Sequence, residues 1–145
     1  MSLKNYSTTI DPHKTIGEIQ KILVAHGARA ISIEYNDQDP VSLTFFMELR
    51  DQHINFRLPA RIDGVLRAMK ADKKVPRSKI NREQATRVGW RIVRHWIEQQ
   101  MAMIESEMAE MAEIFLPYSV DQKSGLTLWD IAKDGGFGNL LSSGE

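Results

Sequence analysis

The chain has 145 residues, 42% hydrophobic and 26% charged, the balance of one folded domain rather than of a disordered segment. It has no cysteine, which excludes disulfides, thiolate nucleophiles and zinc–thiolate sites. Formal net charge is zero, but residues 57–94 hold twelve Lys or Arg against three Asp or Glu, and residues 101–145 hold two against eight; such a layout suits a local anion-binding surface or complementary contact between subunits.

Residues 6–10, YSTTI, are Thr-rich and read as a short first strand. Asp11-Pro12 then opens a helix, with Asp as cap and Pro at the first helical position. Ile16, Ile19, Ile22 and Leu23 recur at spacings of three and four, and Gly27 ends the helix. Three alternating segments follow. Ile31, Ile33 and Tyr35 share one side of the first. Val41, Leu43, Phe45, Met47 and Leu49 share a side of the second, and Ile54, Phe56 and Leu58 a side of the third. The turn at residues 36–40 and the polar break at residues 50–52 make these an antiparallel meander.

After Pro59, the apolar positions Ile62, Val65, Leu66 and Met69 mark a short helix, which the basic stretch KKVPRSK at residues 73–79 interrupts. Asn81 caps the next helix, with Gln84 at the box position. No Gly or Pro stops that helix before Pro117, so the pattern predicts one long amphipathic helix over about residues 81–116, on the order of 50 Å. A short helix over residues 126–133 ends at Gly135-Gly136, and Phe137, Leu140 and Leu141 are available to dock on a neighbour. The reading is one α+β domain. Residues 1–60 form a small antiparallel sheet part in the order β-α-β-β-β, residues 61–116 the helical part, and residues 117–145 a C-terminal extension.

No assembled catalytic motif stands out. His13 is near a helix start, His26 near a helix end, His53 on a strand and His95 inside the long helix, and none belongs to a His-x-x-x-His pair. Glu34, Asp37 and Asp39 read as a solvated hairpin turn, and Glu107, Glu110 and Glu113 as a charged helix face. The serines lack a nucleophile elbow, and the glycines at residues 135–138 lack a phosphate loop's lysine. Nothing in the pattern asks for a cofactor, and an enzyme would need a metal site assembled from distant residues.

The basic region carries the functional expectation. Lys70, Lys73, Lys74, Arg77, Lys79 and Arg82 lead into a helix N-terminus, and Arg87, Arg91 and Arg94 follow on related turns, with Trp90 beside them for stacking if exposed. Such a set suits single-stranded nucleic acid or a small phosphorylated ligand. The long helix also predicts self-association, because a small meander leaves part of two apolar stripes bare. Trp96, Ile97, Met101, Met103, Ile104, Met108, Met111 and Phe115 are the interface candidates. Antiparallel pairing would set Arg82, Arg87, Arg91 and Arg94 against Glu105, Glu107, Glu110 and Glu113 of a second copy, giving a homodimer or a larger assembly. The acidic half of the helix argues against a membrane surface. The N-terminus MSLKNYSTTI lacks an apolar leader core, and no stretch approaches eighteen apolar residues, so the expected location is the cytoplasm.

YSTTID, KTIGEIQKILVAHGA, FRLPA, QATRVGWRIVRHWIEQQMAMIE and FLPY followed by LTLWD together resemble a family of small bacteriophage and prophage proteins. The resemblance covers most of the chain and transfers no catalytic residue. It implies a phage protein acting in the host cytoplasm: an oligomeric, non-enzymatic nucleic-acid binder, or an anti-defence protein that sequesters a nucleotide signal or inhibits a host protein.

Overall fold

The meander is the centre of the structure. In the computed structural model, which describes residues 3–136, 138 and 141, strands β1 (Ala30–Asn36), β2 (Asp39–Leu49) and β3 (Gln52–Pro59) form an antiparallel sheet in the order β1-β2-β3. The register pairs Ile31 with Phe45, Phe45 with Phe56, and Leu43 with both Ile33 and Leu58, which puts the alternating apolar residues on one face. Leu43, Phe45, Met47, Phe56 and Leu58 of that face are buried. Both hairpins have two-residue loops, and Arg50 and Asp51 both take positive φ (51° and 65°), the backbone twist that a tight antiparallel connection requires.

Helix α1 (Pro12–Ala25) starts where the Asp11 side chain accepts the His13 N–H, and it buries Thr15, Ile16, Ile19 and Leu23. Gly27, at φ 107°, ends it, and the Ala28 N–H closes back on the Leu23 carbonyl at 2.9 Å. Helices α2 (Ile62–Ala71) and α1 both pack against α3 (Arg82–Glu105), whose cap is the Asn81 side chain accepting the Gln84 N–H. The α2–α3 approach is close: a Cβ at Gly89 would stand 2.9 Å from Ile62 Cδ1. The Trp90 indole is fully buried and donates to the Pro40 carbonyl at 3.0 Å, joining α3 to β2.

Two departures from the predicted elements have physical causes. Residues 6–10 are not a strand, so the order is α-β-β-β-α-α rather than β-α-β-β-β. Asn5 takes φ 65° and starts a turn, and the Gln84 amide donates to the carbonyls of both Tyr6 and Thr8 at 2.9 Å. A buried side chain, not a ladder, satisfies this segment's backbone.

The long helix is also shorter than predicted, ending at Glu105. Glu107 takes φ 61°, its N–H bonds the Ile104 carbonyl, and the Met108 N–H bonds the Met103 carbonyl at 2.9 Å. This is a Schellman stop made by glutamate instead of glycine, which is why no breaker was visible in the sequence. A new capping box between Glu110 and Glu113 starts helix α4 (Met111–Phe115), and a 3₁₀ turn (Leu116–Tyr118) follows. The chain then passes the edge of the sheet, where the Val120 N–H bonds the Asn55 carbonyl, and reaches helix α5 (Leu128–Gly135), capped by Thr127 and Asp130. Phe137 and Leu140 lie outside the described residues, and Leu141 is exposed.

Candidate anion-binding surface

The ten residues expected to bind a ligand separate into three groups. Trp90 is core, so the expectation that it stacks on a base is corrected. The four arginines of α3 are each held by the chain's own acceptors. Arg82 meets Asp63 at 2.6 Å, and the hydrogen bond from Arg82 holds that carboxyl below its ordinary range. Arg87 donates to Gln84 and Glu83 at 2.9 and 3.1 Å. Arg91 donates to Glu18 at 2.9 Å, and Arg94 Nε stands 2.7 Å from the same carboxylate oxygen while its Nη1 reaches Glu98. Burial pushes the Glu18 carboxyl up, but the Arg91 hydrogen bond and the charges of both arginines outweigh it and leave the group lowered. Arg82 thus fastens α2 to α3, and Arg91 and Arg94 fasten α1 to it, while Arg87 bonds within α3.

Lys70, Lys73, Lys74, Arg77 and Lys79 are different. None of the five has an ion-pair partner among the described residues, and all but the half-buried Lys79 are exposed. Their backbone is fixed from within. Val75 is a buried anchor, and the Asp72 carboxylate accepts the Lys74 N–H at 2.9 Å and the Leu3 N–H at 2.7 Å. Those two bonds hold the Asp72 carboxyl below its ordinary range, so this acid is committed to backbone donors. Lys70, Lys73 and Arg77, with Asp72, Val75 and Ile80, line an open depression of about 610 Å³. The loop thus presents cations on an ordered frame, a geometry for displacing the hydration of a phosphate without first breaking an internal ion pair.

The expected interface residues divide between the core and the surface. Ile97, Met101 and Phe115 are buried in the chain's own core, which corrects their assignment. Trp96 packs edge-on against Phe115 (5.5 Å) and Tyr118 (5.7 Å). Met103, Ile104 and Met111 are half-buried, and Met108 alone of the eight is exposed. The two apolar stripes of the long helix are partly covered by α1, by α2 and by the returning α4 segment, which leaves Ile92, Val93, Trp96, Met103, Ile104 and Met111 half-buried. The charge argument for a second copy changes as well, because the α3 arginines are already paired and Glu105 meets His26 at 2.7 Å. An apolar depression of about 550 Å³ remains at the helix break, lined by Leu49, Ile54, Met111 and Leu116 with polar residues around them.

Sequence reading missed a further cleft of about 320 Å³, lined by Arg57, Pro59, Arg61, Tyr118, Thr127, Trp129, Asp130 and Lys133. Its walls come from β3, the start of α2, the turn after α4, and α5. No local spacing could announce it, because residues about seventy positions apart meet there. Among the described residues, no group of three or more His, Asp or Glu is placed to hold a metal ion, and no helix is long and apolar enough to cross a membrane. Compared with family models, with curated proteins and with solved structures, the chain matches none.

Proposed function

We propose that this is a non-enzymatic binding protein for phosphate-bearing ligands, nucleic acid foremost, acting through the loop that carries Lys70, Lys73, Lys74, Arg77 and Lys79. One observation carries the reading: these cations have no carboxylate partner among the described residues, whereas every arginine of α3 has an acceptor. A polyanion meeting the loop releases its own condensed counterions and gains charge-assisted hydrogen bonds, with little competing intramolecular bonding to break. In a phage protein, as the resemblance implies, such a surface would engage nucleic acid in the host cell.

Fluorescence anisotropy of a labelled single-stranded oligonucleotide tests this. Changing Lys73, Lys74 and Arg77 together to Ala should weaken binding by on the order of ten- to a hundredfold at moderate salt. Arg87→Ala, which removes a cation already bonded to Glu83, should change it little. Equal binding by the triple variant and the unaltered protein would refute the proposal. Saturable binding of one small nucleotide, with no oligonucleotide shift, would favour a nucleotide-sequestering protein instead.

A further inference from the structure

We infer that the cleft between β3, the start of α2 and α5 receives a nucleobase together with its attached phosphate, the base recognised by Trp129 and Tyr118 and the phosphate by Arg61. The inference rests on the proposed phosphate-ligand role and names where that ligand's base would be held. A cleft of about 320 Å³ is at the small end of the range that encloses organic ligands. Two aromatic side chains and three cations line it, the combination that binds unstacked bases: the ring offers a surface to any base, and the cation meets the phosphate.

The cleft's parts are pre-positioned. Tyr118 packs edge-on with Trp96, which in turn packs on the core residue Phe115. Trp129 sits in the first turn of α5, fixed by the reciprocal Thr127–Asp130 capping box and by the Leu128 N–H bonded to the Ser119 carbonyl. Arg57 is held at its rim by donation to the Gly125 carbonyl at 2.9 Å and by Glu34, 3.3 Å from its Nε. Lys133 leans on Asp130 at 3.5 Å. Arg61 is the cleft cation that no carboxylate holds among the described residues, and it is exposed. Rigid aromatic walls and one uncommitted arginine give a site that needs little reordering to bind.

The cleft and the basic loop also lie along one helix. Arg61 occupies the N-cap position of α2 without a side-chain capping bond, Lys70 is in its last turn, and Arg67 is exposed between them. Nine residues separate Arg61 from Lys70, a rise of about 14 Å. Those nine residues also make about two and a half turns, so a strand reaching from the loop to the cleft would cross α2 rather than follow one face of it. A free nucleotide would use the cleft alone.

The test compares three probes, namely adenosine monophosphate, a short single-stranded oligonucleotide, and inorganic polyphosphate, which has no base. Trp129→Ala should weaken the base-bearing probes by about five- to a hundredfold and leave polyphosphate unchanged, with Trp129→Phe restoring most of the loss. Arg61→Ala, at an exposed position, should weaken the same probes. A loss confined to the oligonucleotide identifies a strand as the source of the base, and a loss seen also with adenosine monophosphate identifies a free nucleotide. Unchanged binding of both base-bearing probes by Trp129→Ala and Arg61→Ala overturns the inference, as does an equal loss of polyphosphate on Trp129→Ala. If the loop triple variant keeps full oligonucleotide affinity while Trp129→Ala loses it, the loop assignment fails and the cleft stands.

Discussion

Glu18 shows how little an arginine's role can be read from its neighbours in sequence. Arg91 and Arg94 look like a ligand-binding pair on a basic helix, yet one carboxylate more than seventy residues earlier meets both. Lys73 and Arg77, in a similarly basic stretch, meet no carboxylate among the described residues. The deciding fact in each case is a long-range partner, which neither charge counting nor helical spacing reveals. Glu18→Gln should therefore destabilise the protein by about 1–2 kcal/mol, measured by urea unfolding, because two half-buried guanidinium groups lose their acceptor charge. An unchanged midpoint would mean that the pair is only a solvated surface contact.

The histidines give a second prediction at this scale, with opposite signs at two positions. His26 can donate from both ring nitrogens: Nδ1 is 2.7 Å from the Ile22 carbonyl and Nε2 is 2.7 Å from Glu105, and neither oxygen can donate in return. The Ile22 carbonyl, and then Glu105, favour the protonated ring and raise its pKa from 6.5. Its stabilisation is full below 6.5 and is lost as pH rises through the elevated folded value. His95 is lowered from 6.5, first by burial and then by Lys4 and Arg91, and its Nδ1 accepts from the Asn5 amide. Its neutral form is the stabilising one, present above 6.5 and lost as pH falls through the depressed folded value. In thermal unfolding, His26→Gln should thus cost more at pH 5.5 than at pH 8, and His95→Gln the reverse. Parallel pH profiles for the two variants would contradict these assignments.

Among the elements, the meander and the starts of α1 and α3 were legible because their signals are local. Alternation set the strands and their inward faces, and Asp11 and Asn81 cap where short-range chemistry says they should. The helix stop at residues 106–108 was not legible, because glutamate at a left-handed position leaves no compositional trace. That conformation costs a side-chain-bearing residue roughly 1–2 kcal/mol. Glu107→Gly should therefore stabilise the protein by about 0.5–1 kcal/mol, whereas in an unbroken helix the same change would cost about 1 kcal/mol. The sign of the change in a denaturation midpoint decides between them. Phe115 depends on the same break: the return of α4 brings it against Phe45, Phe56 and Trp96. Phe115→Ala should cost about 3–5 kcal/mol in the isolated chain, independent of protein concentration, while a residue serving only an interface would show a concentration-dependent loss.

For the molecule as a whole, the basic middle and acidic end of the sequence do not become two oppositely charged halves. Glu105 bonds His26 of α1, Glu110 approaches Arg50 at 3.6 Å, and Asp130 pairs with Lys133 on its own helix. Most of the positive charge of α3 is consumed in the same way, against Glu18, Asp63, Glu83 and Glu98. Among the described residues the cations without an ion-pair partner also include Lys4, Lys14, Lys21 and Lys123, but the densest run of them is on residues 70–79, with Arg61 and Arg67 continuing it along α2. The candidate cleft at Arg61 was hidden from sequence reading for the reason that hid the Glu18 pairing: its walls come together only in three dimensions. The proposed function requires that this remaining charge, and not the arginine-rich face of α3, meet phosphate. Its most direct measurement is the salt dependence of oligonucleotide binding. In a plot of log affinity against log salt concentration, the Lys73, Lys74, Arg77 triple-alanine variant should have a slope shallower by about 2 than the unaltered protein, at about 0.7 for each single-strand phosphate that is no longer neutralised. Identical slopes for the two proteins, or a slope that flattens only when Arg87 is changed, would contradict it.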